Sequence, residues 1–194
     1  MTVTNQSFAL DHGPADNRTA QGSEAAEVAK FTIQAVKGLC RQEQEDWWEA
    51  ISTDRVGSQV MYALKDEYKT FEHWAEMAAW PGYDVNVVYG QGEEKLAIFW
   101  TCGKVGHGGF LHFSFLEAAL PLKLEIGRHV LKVLWACGYK CLASLTPAAR
   151  LHVIAYAKAM GGKVMGIWPG VCYIAADNQW VDGALIQFLP TKEA

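Results

Sequence analysis

Between residues 83 and 147 the apolar period changes twice, which constrains the fold more than any other feature of the sequence. The first part alternates apolar and polar residues with period two, which is typical of half-buried strands. Residues 122–137 place apolar side chains at helical spacing and stop before Gly138, a residue type that favours a helix end. Residues 140–147, KCLASLTP, then predict a short buried strand. This order predicts a right-handed crossover between two parallel strands over residues 110–145.

The flanking segments extend the pattern to a single mixed α/β (α+β) domain over residues 26–194, in which helices flank a central sheet. We expect a flexible polar tail over residues 1–25. Three strands joined by glycine-rich turns predict an antiparallel meander before the crossover. The predicted strands are 31–36, 83–90, 94–102, 109–117, 140–147, 163–168, 171–177 and 184–189, and the predicted helices are 37–52, 66–79, 122–137 and 148–160.

Composition excludes several classes of protein. The formal charge of −4 and the pI of about 5.9 argue against electrostatic capture of nucleic acid, which needs a basic patch. The sequence has no run of about 18 apolar residues, so no membrane span is expected. The opening residues lack the basic and apolar segments of a secretion signal, and the cysteines form no CxxC pair. We therefore expect a cytoplasmic protein with reduced thiols and no metal site.

The second half of the chain, from GGFLHFSFLEAALPLKLEIGRHVLKVLWACGYKCLASLTP to ARLHVIAYAKAMGGKVMG, resembles the GNAT N-acetyltransferase superfamily. The resemblance covers about residues 30–190, and the amino-acid sequence there is similar to divergent, phage-associated members of the family. It implies a GNAT-like acyl-CoA N-acyltransferase fold. In that family a central strand feeds a loop and helix that hold the pyrophosphate of acetyl-CoA, and a second strand splays away from the first.

The resemblance also implies where acetyl-CoA or another acyl-CoA would bind. Counted back from Gly138, the pyrophosphate loop falls near residues 118–123, AALPLK, which contain no glycine. The free amides of a helix N-terminus can still bind phosphate. The family's helix asparagine falls on Arg150, and the central strand would hold the arm of CoA. The candidate CoA-binding residues are therefore Phe113, Phe115, Leu122, Lys123, Leu124, Glu125, Ile126, Arg128 and Arg150.

Amine acylation needs a base for the ammonium and an acid for the departing thiolate. Alternation along the central strand places His112 and Ser114 on the same face, so His112 is a candidate base. The alternative for His112 is a histidine hydrogen-bonded beneath a helix. Glu117 is a second candidate base, or else a solvated strand end. Tyr156 is a candidate general acid one position from the family's tyrosine, or else a core residue.

In the first half of the chain, where family members shape the acceptor pocket, the sequence has four tryptophans, Trp47, Trp48, Trp74 and Trp80. These tryptophans either line that pocket or pack in the core. The leading hypothesis is direct acyl transfer from acyl-CoA to a primary amine of a small molecule or protein. The alternative is a catalytically degenerate, phage- or prophage-associated interaction protein. A homodimer is possible under either hypothesis. A single-strand nucleic-acid binder is disfavoured by the acidic pI.

Overall fold

The computed structural model describes residues 30–59, 66–175 and 177–190, so the predicted tail over residues 1–25 lies outside the described residues. None of the helices in these ranges is long and apolar enough to cross a bilayer. Short 3-10 helices include Val36–Gly38, Asp66–Tyr68 and Glu117–Leu122. The main elements are β1 (Thr32–Ala35), α1 (Arg41–Thr53), α2 (Phe71–Ala79), β2 (Tyr83–Tyr89), β3 (Lys95–Val105), β4 (Gly108–Phe115), α3 (Lys123–Ala136), β5 (Cys141–Pro147), α4 (Leu151–Ala159), β6 (Lys163–Ile174) and β7 (Gln179–Phe188).

The strands form one seven-stranded sheet in the order β1-β2-β3-β4-β5-β7-β6. Strands β2, β3 and β4 are the predicted antiparallel meander, and β4 pairs with β5 in parallel. Helix α3 connects these two parallel strands, which confirms the crossover predicted from the change of period. The predicted fold class, a mixed sheet flanked by helices, is therefore confirmed.

Helices cover both faces of the sheet, and their apolar faces form two cores. Each large apolar side chain removed from water contributes about 1.5–3 kcal/mol. The core between α3 and the sheet includes the buried residues Leu111, Ile126, Val130, Leu131, Leu134 and Leu142. The core under α1 and α2 includes Trp47, Ile51, Trp74, Ala78, Val85, Val87 and Ile98.

Several predicted boundaries were wrong. The two strands expected on either side of Pro169-Gly170 are one continuous strand, β6, which pairs with β7 through irregular register near the proline. The helix expected at residue 66 begins at Phe71, because the Thr70 hydroxyl accepts the amide of His73 at 3.3 Å and caps the helix there. Local capping, which the apolar period does not report, set the start of α2.

The carboxylate of Asp54 holds together two segments that are distant in sequence. It accepts the amides of Val56 at 2.8 Å and Gly57 at 2.7 Å in the loop after α1. It also accepts the amide of Glu117 at 3.0 Å, where the 3-10 helix before α3 begins. Burial raises the pKa of Asp54, but these amide donors outweigh it and leave the pKa below its ordinary value.

We expect Asp54→Ala to lower the free energy of unfolding by about 2 kcal/mol at neutral pH, because three amides lose a charged acceptor. A carboxyl with a depressed folded pKa stabilises above its unfolded pKa, and this stabilisation is lost as the pH falls through the folded pKa. The difference between wild type and variant should therefore shrink below about pH 4. Urea unfolding at several pH values measures this, with Glu49→Ala on the exposed face of α1 as control. A difference that stays constant with pH would contradict the assignment.

Candidate active site

The two parallel strands at the centre of the sheet separate after three residues. Strands β4 and β5 are paired only at Gly108 with Cys141, Gly109 with Leu142 and Phe110 with Ala143. Beyond this point β4 stays paired with β3 as far as Phe115, whereas β5 stays paired with β7 as far as Pro147. The facing edges of residues 111–115 and 144–147 therefore lie outside any shared ladder. This opens a wedge in the middle of the sheet.

A cleft of about 530 Å³ runs through this wedge. It is lined from β4 by Leu111 to Phe115 and from β5 by Ser144 to Thr146. On one side of the sheet it is bounded by α4, including Val153 and Tyr156. On the other side it extends beneath α1 and α2. A cleft of this size accommodates a small ligand together with part of a longer one.

Aromatic residues form the wall of the cleft on the side of α1 and α2. The Trp48 and Trp74 rings lie 6.2 Å apart, and both line the cleft. Trp100 of β3 and Tyr83 of β2 complete the wall with Met77. Of the four tryptophans singled out in the sequence, Trp47 is instead fully buried in the core and Trp80 is exposed. We call the set Trp48, Trp74, Met77, Tyr83 and Trp100 the aromatic wall.

His112 lies at the foot of this wall, on the strand that borders the wedge. Its imidazole stacks on Trp100, with ring centroids 5.1 Å apart and planes 10° from parallel. Its Nε2 lies 3.7 Å from the Cys102 sulfur. Burial disfavours the charged imidazolium and lowers the pKa of His112. The side chain is therefore neutral at neutral pH and lines the cleft with a basic nitrogen.

Glu117 lies outside the cleft lining, although it follows the same strand. Its carboxylate accepts hydrogen bonds from Arg55 Nε at 3.0 and 3.1 Å, and the side chain is half exposed. The Arg55 pairing lowers the pKa of Glu117. A paired, solvated carboxylate of depressed pKa is a weak proton acceptor. The geometry therefore favours the interpretation of Glu117 as a solvated strand end over its interpretation as a base.

Tyr156 lies in the wedge, on the side of the sheet that α4 covers. Its ring packs edge-on against Phe113 and Phe115, and its hydroxyl donates to the Lys123 carbonyl at 3.1 Å. Burial raises the pKa of Tyr156 far above its ordinary value, so the hydroxyl keeps its proton. Gly127 of α3 permits this approach, because a β-carbon there would collide with the Tyr156 hydroxyl. Tyr156 is thus a packed residue that also carries a proton at the cleft.

The segment expected to form a phosphate-binding loop is a 3-10 helix, Glu117–Leu122, that leads directly into α3. The amide of Lys123 donates to the Leu120 carbonyl, so this amide is already used within the chain. The Lys123 side chain lines the cleft, whereas Glu125 is exposed and pairs with Lys30. The remaining candidates at the start of α3 pack on the core: Ile126 is buried, and Leu122 and Leu124 are partly buried.

The other predicted CoA contacts divide into two groups. Phe113 and Phe115 line the cleft and stack on each other, with centroids 5.5 Å apart. Arg150, at the start of α4, also lines the cleft. Arg128 is exposed, and its guanidinium donates to the Ala159 carbonyl at 3.0 Å near the end of α4. The structure therefore brings His112, Phe113, Phe115, Lys123, Arg150 and Tyr156 to one cleft.

Trp100, Tyr83 and Met77 are cleft residues that sequence reasoning missed. Trp100 is the direct cross-strand partner of His112, and partners in an antiparallel pair share a face of the sheet. Only the register between β3 and β4 reveals this. A one-residue shift would have turned Trp100 to the opposite face.

Comparison with known proteins defines the fold. No protein-family model and no curated protein sequence matches the chain. Among solved structures, the chain is similar to spermidine N-acetyltransferase from Vibrio cholerae in complex with CoA and spermine, with a TM-score of 0.68 at 10% identity over 84% of this chain and 97% of that chain. It is also similar to ribosomal-protein-S5-alanine acetyltransferase from Vibrio fischeri, with a TM-score of 0.61 at 11% identity over 86% of this chain and 96% of that one.

The chain therefore has the fold of the GNAT acetyltransferases, as its sequence resemblance implied. At this identity the likeness defines the arrangement of the elements and says nothing of individual side chains. The chemistry must be argued from the residues that line the cleft.

Proposed function

We propose that the protein is an N-acyltransferase that moves an acyl group from acyl-CoA to a primary amine by direct transfer. The observation that carries this proposal is the cleft through the sheet between β4 and β5. The cleft opens toward both sides of the sheet, so that acyl-CoA can enter from one side and the amine from the other. The two substrates can then meet at the wedge. Both structural neighbours named above are acetyltransferases, and one contains CoA.

The residues at the wedge fit an acyl-CoA in two respects. The parted backbone edges of β4 and β5 provide hydrogen-bonding groups without a partner strand, as an extended amide-bearing arm needs. Lys123 and Arg150 supply positive charge on the lining of the cleft, where phosphate oxygens could pair with them. Acyl-CoA, when bound, supplies an activated thioester carbonyl.

The transfer forms a bond from the amine nitrogen to the acyl carbon and breaks the bond from that carbon to sulfur. We assign His112 as the group that takes the proton of the amine, because it is neutral at neutral pH and lines the acceptor side. The departing sulfur needs a proton donor. We assign this role to Tyr156, whose hydroxyl would exchange the Lys123 carbonyl for the sulfur. The nitrogen of an ammonium acceptor loses two protons: the first passes to His112 before attack and then to water. The second, released from the nitrogen after attack, replaces the proton that Tyr156 gives to the sulfur, so no buried phenolate is left.

One observation favours the second candidate function, a catalytically degenerate interaction protein. The Lys123 amide is occupied, and the preceding helix replaces the glycine-rich loop that the family uses for pyrophosphate. Phosphate recognition would thus rest on the Lys123 and Arg150 side chains. These two functions predict different responses to acetyl-CoA.

We expect saturating acetyl-CoA to raise the melting temperature of the protein. A ligand at 100 times its dissociation constant stabilises the folded state by about 2.7 kcal/mol. For a domain of this length each kcal/mol corresponds to about 2–4 °C, so the expected shift is about 5–10 °C. Thermal unfolding monitored by tryptophan fluorescence measures it, with dephospho-CoA and adenosine as partial ligands.

The same measurement separates the two candidate functions. No shift at millimolar acetyl-CoA would reject the enzyme and favour the interaction protein. Lys123→Ala and Arg150→Ala should each reduce the shift, because both side chains line the cleft. The exposed Lys132→Ala on the outer surface of α3 is the matched control and should leave the shift unchanged.

A further inference from the structure

The described lining of the cleft contains no carboxylate. Its charged and titratable side chains are Lys123, Arg150, His73, His112 and His152, together with Cys102 and tyrosines. Of the acidic residues next to the lining in sequence, Asp66 pairs with Lys69 and Asp84 pairs with Lys37. Glu67, Glu72 and Glu76 are exposed and do not line the cleft. The described lining of the cleft is therefore neutral to positive.

The acceptor side of the cleft is instead apolar and aromatic. The aromatic wall consists of three tryptophans, a tyrosine and a methionine, and His112 extends it by stacking on Trp100. Such side chains bind rings and alkyl groups through large flat surfaces, and methionine adapts to their shape. Aromatic faces also attract a single ammonium group.

We propose that the acceptor is a primary amine carried on an aromatic or other apolar body, with no second positive charge. This inference rests on the proposed function and specifies its substrate class. A single ammonium can lie against the aromatic wall and lose its proton to His112 before attack. A second or third ammonium in the same cleft would be desolvated without a carboxylate partner, which is strongly unfavourable. We therefore expect polyamines to be poor acceptors, although one structural neighbour is a spermidine N-acetyltransferase.

The test compares three amines with the full-length protein and acetyl-CoA: 2-phenylethylamine, hexylamine and spermidine. Product formation followed by mass spectrometry gives kcat/KM for each. We expect 2-phenylethylamine to exceed spermidine by about 100-fold or more, because each unpaired buried charge costs several factors of ten in affinity. Hexylamine should lie between them. Titration of each amine against the tryptophan fluorescence gives a binding order that does not depend on turnover.

Two variants should shift the proposed selectivity toward spermidine by different routes. Met77→Glu adds a carboxylate to the half-buried aromatic wall and should shift the ratio of spermidine to 2-phenylethylamine by about tenfold or more toward spermidine. Trp48→Ala should weaken 2-phenylethylamine binding by about tenfold and leave spermidine unaffected. Trp180→Ala is the matched control, because Trp180 lies on the β6–β7 hairpin and is 66% exposed. Trp180→Ala should change neither the ratio of spermidine to 2-phenylethylamine nor the affinity for 2-phenylethylamine.

The outcomes separate this inference from the proposed function. If acetyl-CoA stabilises the protein but spermidine is acetylated as efficiently as 2-phenylethylamine, the substrate class is wrong and the acyltransferase stands. If acetyl-CoA does not bind, the proposed function fails. The fluorescence titration then decides whether the cleft prefers apolar amines: equal affinity for spermidine and 2-phenylethylamine overturns the inference, and a preference for 2-phenylethylamine supports it as a binding property.

Discussion

Replacing His112 with glutamine is expected to lower kcat for amine acetylation by about 100- to 1,000-fold, in the range that a positioned general base contributes. The imidazole lines the cleft on β4, beside the wedge, and stacks on Trp100. The thermal shift with acetyl-CoA should stay close to that of wild type, because the loss concerns the proton of the acceptor. Steady-state kinetics with 2-phenylethylamine and thermal unfolding measure the two effects separately.

The pH dependence of this variant gives a second readout. Only neutral His112 accepts a proton, and burial lowers its pKa from the ordinary value of 6.5. In wild type the rising limb of kcat should therefore lie below pH 6.5, with a plateau at neutral pH, and the limb should vanish in His112→Gln. His107→Gln, in the exposed turn between β3 and β4, is the matched histidine control. Equal turnover in both variants would remove His112 as the base, and Glu117→Gln would then be examined next.

The largest effect on stability is expected for Trp47→Ala, at about 3–5 kcal/mol, because a large buried side chain leaves a cavity. Trp47 is fully buried between α1 and the sheet. Its indole N–H donates to the Tyr89 hydroxyl at 2.7 Å, and the two rings meet edge to face. The melting temperature should fall by about 6–20 °C for a chain of this length. Urea unfolding gives the free energy directly.

Two further variants divide this loss into its parts. Tyr89→Phe removes the acceptor of the indole N–H while the packing stays, and should cost about 1–3 kcal/mol. Trp180→Ala removes an exposed tryptophan and should change the free energy of unfolding by less than about 0.5 kcal/mol. A cost for Trp47→Ala no greater than that for Trp180→Ala would show that the core under α1 is misassigned.

The composition of each face of the central strand was predictable, because alternation is a local property. Phe113 and Phe115 pack against Tyr156 under α4, and His112 faces Trp100 on the opposite side. The role of Glu117 was not predictable. Its partner Arg55 lies 62 residues earlier in the chain, and no spacing rule connects the two.

The segment expected to lie at the phosphate site is helical, for a physical reason that the sequence contained in part. The segment AALPLK has no glycine, so its backbone has no low-cost route to a tight anion-binding loop. It forms a 3-10 helix, and its end carbonyl at Leu120 accepts the amide of Lys123. In the proposed function, phosphate binding rests on the side chains of Lys123, the first residue of α3, and Arg150, which precedes α4.

By itself the sequence determined the type and order of the main elements, because periods of two and of 3.6 are set by neighbouring residues. It also determined that β4 and β5 run parallel, since a helical crossover joins them. Only the tertiary structure decided where these strands separate. Strand β5 pairs with β4 at three positions and with β7 at six, from Leu142 to Pro147. Strand pairing is a competition for backbone hydrogen bonds among segments far apart in the chain, and its outcome creates the cleft.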